Sequence, residues 1–145
     1  MASFKYGLFG VGVIILLCVV SAWAAGVCVV DGPYHLGPGY EKHVVTCTAD
    51  SSDGSYPATT ITMTPGYVTR LSTNPTVTLT DNYDVTLTDA DGIDVLGGAG
   101  ANRDTSTPED AQPTQPKQND GTLTLNITNN SVNSAELKLK IYSVR

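Results

Sequence analysis

Two stretches near the C-terminus constrain the fold more than anything else in the chain. Residues 121–128 (GTLTLNIT) and 135–144 (AELKLKIYSV) alternate apolar and polar residues with a period of two. Successive side chains of a β-strand point to opposite faces, so this alternation marks half-buried strands. Leu123, Leu125 and Ile127 share one face of the first. Leu137, Leu139 and Ile141 share one face of the second, opposite Lys138, Lys140 and Tyr142. The intervening NNSVNS turns the chain.

Shorter runs of the same kind precede them. KHVVTCT (42–48), ATTITMT (58–64), YVTRLST (67–73) and YDVTLTD (83–89) are rich in Thr, Val, Ile and Tyr, the residues that suit a pleated surface. TADSSDGSYP (48–57) and Pro65-Gly66 read as turns, Asn74-Pro75 as a break, and TVTLT (76–80) as a short edge strand. DGPYHLGPGY (31–40), with two prolines and three glycines, reads as irregular. No helical periodicity follows the first thirty residues. The expected fold is therefore an all-β antiparallel β-sandwich, Ig-like or jelly-roll-like, over 42–145. Residues 97–120 are mostly polar and carry three prolines, so they read as one long loop, with at most a single helical turn at TPEDAQ.

The N-terminus is different. Lys5 is the only charge before Asp31, and an apolar run from Leu8 ends in SAWAAG, with Ala22 and Ala24 at the small-residue positions of a cleavage site. Residues 1–24 are thus expected as a signal peptide, an apolar leader helix cut between Ala24 and Ala25, with 25–41 an N-terminal extension. The alternative is a retained anchor over Tyr6–Val30, the one way in which this chain would touch a membrane. Removal of the leader takes Cys18 with it and leaves Cys28 and Cys47, expected as a disulfide in an oxidising, extracellular setting, with two separate thiols as the alternative. With 14 acidic against 8 basic side chains and no basic run, nucleic acid is not an expected partner.

Five aspartates lie in TDNYDVTLTDADGIDVLGGAG (80–100). Asp91-Gly92 between alternating residues is a strong hairpin signal. The alternative is calcium held by Asp89, Asp91 and Asp94, the only cofactor the sequence suggests, although an EF-hand pattern fails because no Glu stands at its twelfth position. Neither His35 nor His43 has a partner at metal-ligand spacing, no G-x-S-x-G elbow is present, and Asp84 with Asp94 reads as turn chemistry. An enzyme is not expected. Asn126 and Asn129 head two Asn-x-Ser/Thr acceptor triplets.

Several segments together carry a resemblance. TADSSDGSYPATT, GYVTRLSTNP, DNYDVTLTDADGIDVLGGAGANRDTST and GTLTLNITNNSVNSAELKLKIY resemble small tailed-bacteriophage virion structural proteins of the head-decoration or tail-associated β-sandwich type. The likeness covers about 44–142 and is most specific over 82–103. It departs at Cys47, where that pattern has Trp, and in the leader, which virion proteins lack. The resemblance implies a non-catalytic assembly subunit, here secreted, self-associating or covering a larger particle or filament. Expected contacts are the 97–120 loop, with Asn102, Arg103 and Asp104, the C-terminal strand as a sheet edge, and Val27–Val30 pairing with a neighbour or packing through Cys28. The alternative function is a secreted binding module for a glycan or cell-surface ligand, assisted by calcium.

Overall fold

The computed structural model describes residues 25–145. The leader helix and the Ala24 side of the cleavage position lie outside the described residues. Within them the fold is all-β and sandwich-like, two antiparallel sheets sharing one core.

Nine strands follow in order. They are β1 (Val27–Gly37), β2 (Tyr40–Thr48), β3 (Thr59–Thr62), β4 (Gly66–Val77), β5 (Asp84–Thr88), β6 (Glu109–Ala111), β7 (Gln118–Asn119), β8 (Thr122–Thr128) and β9 (Glu136–Val144). The large sheet runs β1-β2-β9-β4-β6 with β7 also on β4, and the small sheet runs β3-β8-β5. Period-two burial follows the sequence alternation: Leu123 and Leu125 of β8 and Leu137, Leu139 and Ile141 of β9 are fully buried. These two strands belong to different sheets, so the chain between them does not close a hairpin but carries it across the core. Asn130 supports that crossing: its Nδ2 donates to the Gly54 carbonyl at 2.6 Å and its Oδ1 accepts the Thr80 N–H at 2.9 Å.

Several expectations are corrected. Residues 31–37 are not irregular; they continue β1, with register shifts at Asp31/Tyr34 and His35/Gly37, so most of the supposed extension belongs to the sheet. Asn74-Pro75 does not break the chain. β4 runs through it with a register shift between Pro75 and Val77. Pro75 is tolerated because, among the described residues, the other side of β4 is paired only at 66–67 and 71–73, leaving no partner there that needs its missing N–H. Thr107–Gln112 makes no helical turn: Glu109–Ala111 is β6, with Ala111 buried opposite Leu71. β9 is no edge strand, since β2 and β4 flank it.

Cys28 and Cys47 are bonded, directly opposed on β1 and β2 with Cα atoms 4.0 Å apart. Cys47 is fully buried, so the bond ties β1 to the core. A disulfide between these strands is compatible with an extracellular protein. It closes a loop of 19 residues, for which chain entropy predicts about 3 kcal/mol of stabilisation. Urea unfolding of the Cys28→Ser/Cys47→Ser protein is expected to show that loss, with an m-value no smaller than wild type because the untied denatured chain is less compact; an unaltered midpoint would contradict it.

Candidate functional site

The aspartate-rich stretch seals the outer side of β5. The Val85 N–H donates to the Gly100 carbonyl at 2.9 Å, the Arg103 N–H to the Tyr83 carbonyl at 2.8 Å, and the Val95 N–H to the Leu87 carbonyl at 2.8 Å. The Leu87 N–H donates to Asp94 Oδ1 at 3.2 Å. A carboxylate thus occupies the place of a strand carbonyl. Close approach demands glycine at position 100, where a Cβ would stand 2.0 Å from the Val85 oxygen.

The turn expected at Asp91-Gly92 is present. Asp89 N–H donates to the Ile93 carbonyl at 3.0 Å, and Gly92, at φ 78°, donates back to the Asp89 carbonyl. The returning strand is not present. It shrinks to one bridge, Thr88 with Asp94, because Val95 and Leu96 turn in to the core, both fully buried. Asp89 Oδ1 accepts the N–H groups of Asp91 and Ile93 at 3.1 and 2.8 Å. Asp94 additionally accepts from Leu96 at 3.1 Å and Gly98 at 2.8 Å. Asp84 is engaged likewise, accepting from the Asn102 N–H and the Asn129 side chain.

The three aspartates expected for calcium are not gathered at one place. Asp89 and Asp91 line a shallow cleft with Gln118, Asn119 and Asp120, while Asp94 is occupied with backbone. No group of three His, Cys, Asp or Glu side chains that could hold a metal occurs among the described residues.

The expected contact residues are mostly internal ties. Arg103 donates to the Ala101 carbonyl and lies 3.7 Å from Glu109, whose carboxylate also accepts the Asp104 N–H at 2.7 Å. Asn102, at φ 51°, stays exposed. These links fasten the start of the 97–120 segment beside β5 and β6.

Sequence reasoning missed a buried pair at one end of the large sheet. Glu41 is 1% exposed and accepts from the Thr64 hydroxyl and N–H and from Arg145 at 3.0 Å. The Thr64 hydrogen bond, helped by Arg145, holds its carboxyl below the usual range despite burial. His43, also 1% exposed, has no hydrogen-bond partner at either ring nitrogen among the described residues. Burial pushes its pKa down, and the charge of Glu41 offsets this in part. The spacing Glu41-x-His43 in a strand was the only signal, and it does not reveal burial.

No protein-family model matches the chain, and neither does any curated protein or solved structure.

Two predictions follow from these contacts. Asp94→Ala strands backbone N–H groups and is expected to cost about 1–3 kcal/mol, read by urea unfolding, whereas a chelator leaves the wild-type midpoint unmoved. For His43 the unfolded chain binds the proton first, so stability is full above about pH 6.5 and declines as pH falls below it. Glu41 adds a second loss below about pH 4.5, where the unfolded carboxyl protonates before the folded one. His43→Leu should flatten the upper slope alone; a parallel pH profile would refute the assignment.

Proposed function

We propose that the protein is a secreted, non-catalytic assembly subunit, of the kind that phage decoration and tail-associated proteins exemplify, and that it adds to a neighbour through β1. An Ig-like or jelly-roll-like sandwich is the architecture that goes with this reading. One observation carries it: the two sheets treat their edges differently. The outer side of β5 is sealed by backbone and by the Asp94 carboxylate. The outer side of β1 pairs with nothing among the described residues.

The open part of that edge is specific. Beyond Asp31 the register shift and Pro33 blunt the strand, as edges are ordinarily protected. Val27–Val30 has no such protection, and Val27 and Val29 are 52% and 60% exposed. The 4.0 Å separation of Cys28 and Cys47 marks a non-hydrogen-bonded pair. The N–H and C=O of Cys28 and Val30 therefore turn outward, where a strand from a neighbour would find them. The disulfide ties this edge to β2.

Val29→Lys should abolish particle or filament formation, because a charge on an open edge blocks strand addition. Its folding should change by less than about 1 kcal/mol, as Val29 is largely exposed. Sedimentation and electron microscopy of the secreted protein, with mass spectrometry of its N-terminus, provide the test. A wild-type protein that stays monomeric at all concentrations would end the proposal.

A further inference from the structure

The outer face of the large sheet is unlike the rest of the surface. Four of its residues come into one rung by cross-strand register: Tyr34 opposite Lys42, Lys42 opposite Tyr142, and Tyr142 opposite Arg70. Lys42 lies 4.8 Å from the Tyr34 ring centroid and Arg70 3.9 Å from that of Tyr142. The next rung is Tyr40, Val144 and Tyr67. Tyr40 and Tyr67 are 55% and 42% exposed.

On the other side of the first rung, Lys140 and Lys138 follow on the same face of β9, opposite Val44 and Thr46 of β2. Neither makes an ion pair or hydrogen bond among the described residues. The face thus holds Lys42, Arg70, Lys138 and Lys140 against Asp31, Asp110 and Glu136, while the other eleven of the chain's 14 carboxylates lie elsewhere.

A complementary feature lies on the small-sheet side. Among the described residues, all but one of the exposed large hydrophobic side chains sit on β1, β2 or β4; the exception is Ile93, 46% exposed in the Asp89–Asp94 turn. That turn is held rigid by the Asp89 carboxylate, and the Asp91 carboxylate beside Ile93 is exposed and unpaired among the described residues.

We propose that the Asp89–Asp94 turn of one copy docks on the outer face of the large sheet of the next, Ile93 against Tyr67 and Tyr142 and Asp91 beside Lys140. This rests on the assembly reading and supplies a second contact for it. An apolar tip flanked by a carboxylate meets aromatic rings flanked by free ammonium groups, and Tyr and Arg are the residues that dominate interface energetics. Turn and face are different surfaces, so the contact is heterologous and repeats from copy to copy into a ring or an open chain. An anionic polysaccharide fits less well. Such a ligand needs cations in excess, and here four cations face three carboxylates.

The test is sedimentation velocity of the full secreted protein over a concentration series at low and high salt. Lys140→Glu and Asp91→Lys should each weaken association about tenfold or more, with circular dichroism unchanged. An equimolar mixture of the two should recover it, since the reversed face of one variant then meets the reversed turn of the other, and native face meets native turn. Ile93→Asp should weaken it without recovery in either mixture. If these variants associate like wild type while Val29→Lys does not, the docking contact is wrong and the edge reading survives. If wild type is monomeric, both fall. If heparin binds wild type and Asp91→Lys but not Lys140→Glu, and association is unaffected, the face belongs to a polyanion and the proposal is overturned.

Discussion

β9 is the strand on which the large sheet is built. It pairs along its whole length with β2 on one side and β4 on the other, and its Leu137, Leu139 and Ile141 supply the middle of the core. Its register decides what lies opposite what. It sets Cys47 beside Leu137, from which the disulfide fastens β1, and it sets Tyr142 between Lys42 and Arg70. Buried and exposed faces cannot slip relative to one another without turning three large aliphatic side chains into water.

Edges pose the next problem for any open sheet. On β5 the solution is local and polar. The chain leaves the strand, turns over Asp91-Gly92 and returns as a loop whose carbonyls, N–H groups and Asp94 carboxylate satisfy the ladder without a true strand. On β4 two short strands, β6 and β7, give partial cover. On β1 the far half is blunted by a bulge and proline, and the near half is apolar and has no strand partner on its outer side among the described residues. Charge is divided in the same way, since most carboxylates lie away from the face where cations and exposed tyrosines gather.

The buried carboxylate and imidazole lie at the other end of β2. Glu41 has partners enough to stay ionised, whereas His43 has no hydrogen-bond partner among the described residues and stays neutral. Both make the fold favour neutral over acidic solution, for opposite reasons: one charge is stabilised and the other is prevented.

Much of the fold was legible in the chain by itself. Alternation in 121–128 and 135–144 identified β8, β9 and their buried faces, because period two is a property of the strand backbone and needs no partner. The Asp91-Gly92 turn and the Cys28–Cys47 pair were equally local, one in backbone preference and the other in cysteine arithmetic. What the tertiary structure decided was pairing. Nothing in AELKLKIYSV says that β9 is central rather than an edge, or that β8 lies in the opposite sheet. Pro75 is acceptable in β4 only because of what β4 lacks on its other side. Asp94 becomes a ladder acceptor only when Val95 and Leu96 are drawn into the core. The Tyr34-Lys42-Tyr142-Arg70 rung joins residues scattered along the chain. Hydrophobic period is written residue by residue, whereas neighbours in a sheet are chosen by the packing of the whole.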